Sequence, residues 1–534
     1  MKINILKIVF LNLFFLTSLF ANFEQDIEKL KTNSLKDKQE VVVQLAETYS
    51  EDDRTNLLLT KMEEGDLYYL ETTGEFVILE KKEGNTYYSK SLLTGKELEA
   101  QDKKIFEKVK TNNKLRSIIN SKLAEMNLFS KKDEKRLASS KNILKNLDKD
   151  SQELITKALA KETNSDIKEV LTEANTILQA KYSTSTEEQL LAVVQLGDYL
   201  SNQTMIALKE IINNENNQPE LIKAAKSSLG SVETIRSYYA VVEKAFFGLS
   251  LGSVLLLAAI GLAITFGVMK VINMAHGEMM MIGAYTTYTL QQIMPNLMEY
   301  SILIAIPCAF IVSGIVGIII ERLVIRYLYG RPLETLLATF GISLILQQLV
   351  RTIYSPLNQE VKTPSWMSGA WGINSALSLT YNRLYIIIFA VLVFIGILLV
   401  LNKTSLGLKV RAVTQNREMA QAMGIKTSFI DAMTFGIGSG IAGIAGVALS
   451  QLTNVGPNLG QAYIVDSFMV VVFGGVGNLW GTLIGAITLG EINKFIEPVA
   501  GAVLAKVLIL VFIILFIQKR PRGLFPQKGR DAQD

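Results

Sequence analysis

The chain has one histidine, His276, and one cysteine, Cys308, which limits the chemistry that its side chains could perform. A single cysteine cannot form an intrachain disulfide, and a Cys₂His₂ zinc site needs more ligands than the chain has. A Ser–His–acid triad would have to use His276. The phosphate-binding sequence GxxxxGK[ST] is also absent, so any ATP hydrolysis must come from another chain. We therefore predict that the chain is not an enzyme and uses no cofactor or metal.

Asn273, His276 and Glu278 stand at the start of an apolar stretch. Polar groups at membrane depth are costly to bury and often mark a solute pathway. We expect Asn273 and Glu278 to line such a pathway, with the capping of a helix end at the membrane interface as an equal alternative. For His276, a hydrogen-bonded structural role is favoured over that of a ligand or base.

Asp466, Glu491 and Asn493 lie within or beside two short, Gly-broken apolar stretches. Interrupted membrane helices expose backbone groups that must line a cavity or be buried in protein. These three residues are therefore predicted to form a wall of the same polar pathway, and ordinary packing is the alternative.

The stretch Gly436–Gly446 contains a formal GxGxxG match inside an apolar segment. A dinucleotide site would need a strand before the glycines and a soluble βαβ unit around them. Within a membrane span, small residues instead let helix backbones approach closely. The glycines, like Gly477, Gly481 and Gly485, are predicted to serve helix packing.

The polar segment Leu406–Ile425 is predicted to form a short amphipathic helix between two spans. The apolar residues that can share one face of it are Val410, Val413, Met419, Ala420 and Met423. Such a helix could lie on the membrane surface or dock into a groove of a partner, and the spacing does not choose between them.

The elements that must position these residues differ between the two halves of the chain. Residues 22–243 are rich in Lys, Glu, Asn and Ser, whereas residues 244–534 consist of long apolar runs broken by Gly. In residues 1–21, Lys2 and Lys7 precede a short apolar run, Ile8–Phe20, and Ala21 is a plausible cleavage residue, as in a cleaved signal peptide. The expected domains are a signal peptide, a periplasmic domain over 22–243 and a membrane domain over 244–534.

The predicted periplasmic domain is mostly α-helical and contains a small β-hairpin. The hairpin joins Leu67–Glu71 to Phe76–Glu80 through Thr72-Thr73-Gly74, and Thr86–Ser89 is a possible third strand. Apolar residues three and four positions apart predict the helices. These lie near 38–62, 112–127, 131–147, 151–162, 165–181, 186–213 and 217–243.

The membrane domain is predicted to be an all-α bundle of seven to nine spans. The apolar runs lie near 246–269, 271–293, 299–320, 334–352, 384–402, 429–452, 464–478, 480–497 and 503–518. The runs 464–478 and 480–497 could each cross the membrane or form a re-entrant pair. Basic residues cluster at 322–331, at 403–426 and after Lys519, which places these loops in the cytoplasm. We expect a multi-pass protein of the bacterial inner membrane with its N-terminal domain in the periplasm.

Several stretches resemble the permeases of branched-chain amino acid ABC transporters. GLAITFGVMKVINMAHGEMMMIGAY (261–285) is similar to the opening of these permeases, and EMAQAMGI (418–425) to their cytoplasmic coupling loop. Other stretches are closer to one branch, the urea ABC transporter permeases. They are GRPLETLLATFGISLILQQLVR (330–351), PSWMSG (364–369), NRLYII (382–387), VRAVTQNREMAQAMGI (410–425) and LTNVGPNLGQAYIVDSFMVVVFGGVGNLWGTLIGA (452–486).

The resemblance implies a permease subunit of an ABC importer for urea. It implies as partners a second permease subunit, two ATP-binding subunits and a periplasmic substrate-binding protein. The apolar spans predict contact with membrane lipid, and the near-neutral net charge of +4 points to no nucleic-acid partner. The resemblance further implies that the segment from Arg411 to Gly424 couples the permease to the ATPases. The coupling residues carried over are Arg411, Gln415, Glu418, Ala420, Ala422 and Gly424.

Three alternatives stay open. The same class of importer could carry branched-chain amino acids or short amides. A membrane receptor would need a cytoplasmic output domain, for which the segment after Lys519 is short. A membrane enzyme would have to rely on intramembrane carboxylates, since His and Cys are scarce.

Overall fold

The computed structural model describes residues 23–50, 52–83 and 86–525, so the predicted signal peptide, 1–21, lies outside it. The chain divides into two compact units, Met1–Thr234 and Ile235–Asp534. Their boundary falls within one continuous helix, Pro219–Met269. The predicted helix 217–243 and the predicted span 246–269 are therefore parts of a single helix.

The first unit combines helices with a small sheet. Residues 23–28 are helical and lead into a 3₁₀ turn, Lys29–Lys31. The helices of this unit are α1 (Leu35–Thr48), α2 (Asp53–Glu64), α3 (Asn113–Leu128), α4 (Asp133–Lys145), α5 (Ser151–Lys161), α6 (Ser165–Tyr182), α7 (Thr186–Gln195) and α8 (Asn202–Asn213). The strands are β1 (Leu67–Leu70), β2 (Phe76–Glu83), β3 (Thr86–Ser91), β4 (Glu97–Asp102) and β5 (Phe106–Lys108).

Two of the predicted helices of this unit are each interrupted. The predicted helix 38–62 ends at Tyr49, and the Asp52 carboxylate accepts a hydrogen bond from the Arg54 amide to start α2. The predicted helix 186–213 gives way to a 3₁₀ turn at Leu196–Asp198 before Ser201 caps α8. Side chains such as Asp52 and Ser201 satisfy amide groups at a helix start, which favours a new helix over continuation of the old one.

The predicted hairpin is confirmed but belongs to a larger sheet. The strand order is β4-β3-β2-β1-β5, with every neighbouring pair antiparallel. Thr86–Ser91 confirms the third strand, whereas β4 and β5 were not predicted. Leu67 and Ile78 on one face join the core of α1–α3, and Tyr68 and Val77 lie in a separate cluster on the other face. This alternation follows from the two-residue period of a strand.

The second unit is a helical bundle. Its helices are α9 (Pro219–Met269, which begins in the first unit), α10 (His276–Ile293), α11 (Ser301–Leu323), α12 (Pro332–Tyr354), α13 (Tyr381–Lys403), α14 (Ser405–Gln415), α15 (Arg417–Ala422), α16 (Thr427–Ser450), α17 (Leu459–Gly474), α18 (Leu479–Ala500) and α19 (Ala502–Lys519). A short hairpin of β6 (Ala370–Asn374) and β7 (Leu377–Thr380) precedes α13.

Six helices of the described chain are long and apolar enough to cross a membrane. They are Pro219–Met269, Pro295–Leu323, Pro332–Tyr354, Tyr381–Lys403, Thr427–Ser450 and Ala502–Lys519. The other three predicted spans correspond to α10, α17 and α18, and α17 has only 16 residues. A span usually needs about 20 residues. The count of seven to nine spans therefore stays a prediction, as does the choice between crossing and re-entry for α17 and α18.

Glycines bring the central helices together, which confirms the packing interpretation of Gly436–Gly446. A Cβ at Gly446 would collide with the Met280 carbonyl of α10, and one at Gly443 would meet Ser313 of α11. The most apolar stretch of α16 is 89% buried, against 17% for those of α13 and α19. The helix α16 therefore lies at the centre of the bundle.

Candidate functional site

Asn273 and His276 fix the start of α10. The Asn273 side chain is 2% exposed, and its Oδ1 accepts a hydrogen bond of 3.0 Å from the Ala275 amide. The Nε2 of His276 lies 3.0 Å from the Ala258 carbonyl oxygen of α9. His276 is thus hydrogen-bonded, as predicted, through one ring nitrogen, while its buried Nδ1 has no partner among the described residues, and its structural role stays a prediction. Asn273 stabilises the approach to the helix.

Glu278 is buried between α10 and α12, with only 1% of its surface exposed. Its Oε1 accepts hydrogen bonds of 2.8 Å from Ser343 Oγ and from Gln347 Nε2. Its Oε2 has no hydrogen-bond partner among the described residues. A buried carboxylate oxygen without a partner is costly, so Oε2 is an unsatisfied hydrogen-bonding atom at this position.

One face of the helix α12 is a buried row of polar residues, and much of its exposed face is apolar. Thr335, Thr339, Ser343 and Gln347 recur every four residues and are buried, whereas Leu337 is 70% exposed. This arrangement is the reverse of a water-soluble amphipathic helix and suits one with lipid outside and a polar interior. Thr339 Oγ1 also accepts a hydrogen bond of 3.1 Å from the Met274 amide. We name Glu278, Thr339, Ser343 and Gln347 the polar seam.

Three tyrosines lie further along α10 and α12 than the polar seam. The rings of Tyr285 and Tyr354 are 4.8 Å apart, and Tyr288 lies edge-on to both. The Tyr354 hydroxyl is 2.7 Å from Thr289 Oγ1. The Tyr285 hydroxyl is buried and lacks a partner in the described part of the chain. Polar groups thus recur along the contact between the two helices.

Asp466 and Asn493, from the other predicted wall, line one cavity of about 160 Å³. Lys506 of α19 also lines it and forms an ion pair of 2.9 Å with Asp466. Glu491 does not line this cavity and lies against α9, where a Cβ at Gly248 would collide with its carboxylate. The five predicted pathway residues therefore occupy different places, and only Glu278 belongs to the polar seam.

The segment Leu406–Ile425 forms two short helices, so the single amphipathic helix that we predicted is wrong. Asn416 has an extended backbone between them, and its Oδ1 accepts a hydrogen bond from the Met419 amide to start α15. Val410 and Ala420 are buried in a cluster with Ile430. Met419 is 60% exposed, because the break rotates α15 relative to α14.

The break at Asn416 separates two of the six predicted coupling residues, which precede it, from the other four, which follow it. Arg411 and Gln415 line a cavity of about 820 Å³ that is also lined by Asn478 and Arg522. Glu418, Ala422 and Gly424 are exposed, and Ala420 is buried. Gly424 has φ of +82°, a left-handed conformation that favours glycine. Close packing within the described chain does not require a glycine at this position, because nothing there lies within 4 Å of a Cβ placed on Gly424. The glycine serves the backbone conformation.

Arg417 connects α15 to the bundle. Its guanidinium donates to both carboxylate oxygens of Asp431 in α16 and, over 3.1 Å, to the Tyr329 hydroxyl. Burial by itself lowers the pKa of Arg417, but the Asp431 carboxylate outweighs it, so the pKa rises above its ordinary value. Burial also raises the pKa of Tyr329, which therefore remains a neutral donor and acceptor.

Two groups of residues at this site were not predicted from the sequence. Thr339, Ser343 and Gln347 had a usable signal, because polar residues four apart within an apolar run lie on one helix face. Tyr329 and Asp431 had none, because their contact with Arg417 joins positions 88 and 14 residues away from it. No cluster of three or more His, Cys, Asp or Glu residues able to hold a metal lies in the described ranges.

The second half of the chain matches a known protein family. Residues 244–517 match the family described as the branched-chain amino acid transport system permease component. The chain is 31% identical over 296 residues to the high-affinity branched-chain amino acid transport system permease protein BraD of Pseudomonas aeruginosa, covering 54% of this chain and 96% of the relative. It is 29% identical over 296 residues to LivH of Escherichia coli K12, covering 53% and 94% respectively.

A third relative, the probable branched-chain amino acid transport permease protein LivH of Methanocaldococcus jannaschii, is 28% identical over 283 residues, covering 51% of this chain and 88% of the relative. No solved structure matches the chain. The polar seam, Arg417 and the glycine-packed α16 all fall within the matched residues. These relatives are transport permeases. The chain is therefore an ABC-type permease subunit and belongs to the branched-chain amino acid transport system permease family.

Proposed function

We propose that this permease imports urea. In this proposal the chain forms the path with a second permease subunit, receives urea from a periplasmic binding protein and is driven by two ATP-binding subunits. The observation that carries the proposal is the polar seam, in which a buried carboxylate keeps one oxygen without a partner among the described residues. The similarity of stretches such as 330–351 and 452–486 to urea permeases supports the same cargo.

The chemistry of the seam suits a small neutral solute rich in N–H groups. Urea could donate to Oε2 of Glu278. Its oxygen could accept from Gln347 Nε2, whose second hydrogen would then leave Ser343 Oγ, whereas the single hydroxyl hydrogen of Ser343 is already donated to Glu278. Neither His276–Gln291 nor Thr335–Gln347 contains a Lys or Arg. Arg351, one helical turn beyond Gln347, is within electrostatic reach of Glu278, but its guanidinium donates to Asn458 Oδ1. An amino acid would bring a carboxylate that needs a cationic or multiply donating partner. A neutral amide avoids the cost of an unpaired buried charge.

Branched-chain amino acids are the second candidate, because the relatives named above are permeases for them. In that case Glu278 would face the substrate ammonium group. The carboxylate of the amino acid would then need donors outside the seam.

Uptake by cells tests the cargo. The gene would be deleted from its native host, and uptake of radiolabelled urea and leucine would be measured with and without a plasmid copy. Urea import is expected to fall on deletion and to return with the plasmid, while leucine import stays constant. Loss of leucine import alone would replace urea by the second candidate. Unchanged uptake of both would contradict either cargo.

We further propose that 406–425, the coupling segment, receives the ATP-binding subunits. Met423 is 78% exposed and Met419 60%, beside the exposed Glu418, and such a mixed apolar and charged surface suits a protein partner. Changing Met423 to Asp should reduce co-purification of the ATP-binding subunits with the chain. Leu333, 82% exposed at the start of α12, offers a matched control. If Leu333→Asp and Met423→Asp behave alike, the coupling segment is not the docking surface.

Residues 22–243 are proposed to lie in the periplasm. Cysteine labelling tests this in a Cys308→Ala background, because Cys308 is the one native cysteine. Glu187→Cys, at an exposed position of α7, should react with a membrane-impermeant maleimide in spheroplasts. Lys426→Cys, beside the start of α16, should react only after the membrane is opened. The reverse labelling pattern would invert the proposed topology.

A further inference from the structure

We propose that Arg417 is a positioning residue that transmits movement of the coupling segment to α16. The inference rests on the proposed role of that segment in receiving the ATP-binding subunits. It assigns to one ion pair, between the partly exposed Arg417 and the buried Asp431, the mechanical link between the surface of the segment and the centre of the bundle.

The contacts of Arg417 fix its orientation. Both terminal nitrogens of the guanidinium engage Asp431, and one of them also donates to the Tyr329 hydroxyl. The guanidinium lies 4.2 Å from the centre of the Tyr329 ring. A planar fork held on two carboxylate oxygens and stacked on a ring resists rotation, as a single hydrogen bond would not.

Asp431 lies in α16, through which a movement can be transmitted to the neighbouring helices. Asp431, 1% exposed, follows the start of α16, the helix at the centre of the bundle. Gly443 and Gly446 of α16 pack against α11 and α10 so closely that a Cβ would collide with their backbones. Close packing favours displacement of α16 as a rigid body over local bending. A pull on Asp431 would therefore reach the helix that bears Glu278.

The apolar contacts of the coupling segment are not directional. Val410, Val413 and Ala420 form an apolar cluster with Ile430. Such burial holds the segment against the bundle but allows sliding, because the hydrophobic effect has no preferred direction. Two directional contacts join α15 to α16, namely the Arg417–Asp431 ion pair and a hydrogen bond of 2.8 Å from Gln421 Nε2 to Thr427 Oγ1. The ion pair is the charged one of the two, and it holds its partner through two hydrogen bonds.

The buried carboxyl group of Glu321 adds to the need for a positive charge at Arg417. Glu321, at the end of α11, has a side chain that is 1% exposed and lies 3.6 Å from Arg322 Nε. It is within electrostatic reach of both Asp431 and Arg417. Loss of Arg417 would leave two buried carboxylates facing each other with less positive charge nearby, which is unfavourable. A lysine would keep the charge but could not reproduce the fork on Asp431.

The test uses the whole assembly, purified through this chain and reconstituted in proteoliposomes with its cargo. Arg417→Lys, Asp431→Asn and the exchanged pair Arg417→Asp with Asp431→Arg would be compared. Arg331→Lys is the control, since its ion pair with Glu334 is exposed at 64% and 54%. The measurements are the ATP-binding subunits retained, the ATP hydrolysed and the solute imported per ATP.

We expect Arg417→Lys and Asp431→Asn to keep the ATP-binding subunits and to hydrolyse ATP, but to import at least about fivefold less solute per ATP. The exchanged pair should recover part of that ratio, and Arg331→Lys should not change it. An unchanged ratio in both single variants would overturn the proposal. Failure of all three variants to assemble would also overturn it, because the pair would then be only a structural anchor. An unaltered assembly that neither hydrolyses ATP nor imports solute would instead refute the proposed function.

Discussion

Glu278 is the residue on which the proposed solute path depends most. One of its oxygens receives two hydrogen bonds from α12, and the other has no partner in the described chain. Removing a donor that orients this carboxylate should therefore affect transport more than it affects folding. The geometry of the site thus depends on Ser343 and Gln347 as much as on the carboxylate itself.

Adjacent glutamines of α12 offer a matched pair of variants. Gln347 is 2% exposed and donates to Glu278, whereas Gln348 is exposed on the outer face of the helix. Gln347→Leu removes the hydrogen bond to Glu278 Oε1, a contribution of about 1 kcal/mol, and should lower transport by at least about fivefold. Gln348→Leu should leave transport within about twofold of wild type. Equal effects of the two variants on import would contradict a role for the polar seam.

Two glutamates of the first unit should respond oppositely to pH. The Arg136 guanidinium holds the pKa of Glu162 below its usual range, whereas burial raises the pKa of Glu173. Ionised Glu162 therefore stabilises the fold above the ordinary glutamate pKa of about 4.3, and this contribution is lost as the pH falls through its lower folded-state pKa. Glu173 favours the protonated form in the fold, so its ionisation destabilises the fold as the pH rises above about 4.3.

Thermal unfolding of the purified chain at pH 7 would separate the two cases. Glu162→Gln should destabilise the first unit by about 1–3 kcal/mol, since it weakens hydrogen bonds to Arg136. Glu173→Gln should be neutral or stabilising, because the amide oxygen can still accept from Ser201 and Thr204 without a buried charge. A similar loss of stability in both variants would be inconsistent with these pKa directions.

At the scale of elements, apolar periodicity predicted most helices but not where they break or join. The break at Asn416 depends on a side chain that accepts from the Met419 amide, which separates Met419 from the apolar face shared by Val410 and Val413. The predicted helix 217–243 and the predicted span 246–269 join into α9 because no residue between them ends the helix. No proline follows Pro219 before residue 269, so a polar and an apolar stretch continue as one helix.

The candidate site was predicted in part for a related reason. Glu278 could be identified because a carboxylate in an apolar run is conspicuous. Its partners Ser343 and Gln347 are neutral, lie 65 and 69 residues away and meet it only through tertiary packing. The strands β4 and β5 were missed similarly, since their mostly polar sequences gain order from pairing with β3 and β1.

Glycine packing of α16 can be tested by adding one methyl group. Gly446→Ala would place a Cβ against the Met280 carbonyl and lower stability by about 1–3 kcal/mol through overpacking. A methyl group added at Gly396 of α13 would have nothing within 4 Å in the described chain, so Gly396→Ala should be neutral or raise stability by up to about 1 kcal/mol. Thermal unfolding in detergent measures both. Similar unfolding temperatures would argue against close helix contact at Gly446.

At the scale of the whole molecule, the family match covers residues 244–517 and leaves the first unit outside it. Within the second unit, α9 and α16 have mostly buried apolar stretches, whereas α13 and α19 expose most of theirs. Exposed apolar helices suit contact with lipid or with another membrane subunit. This distribution agrees with a permease that acts as one subunit of a larger assembly.

Reconstitution tests the central claim most directly. The assembly would be purified through a tag on this chain, inserted into proteoliposomes with its binding protein and supplied with radiolabelled urea and ATP on opposite sides of the membrane. We predict that urea accumulates against its gradient only when hydrolysable ATP is present, and that a Met423→Asp assembly does so less. Equal urea entry with and without ATP would contradict the claim that this chain is the permease of an ATP-driven importer.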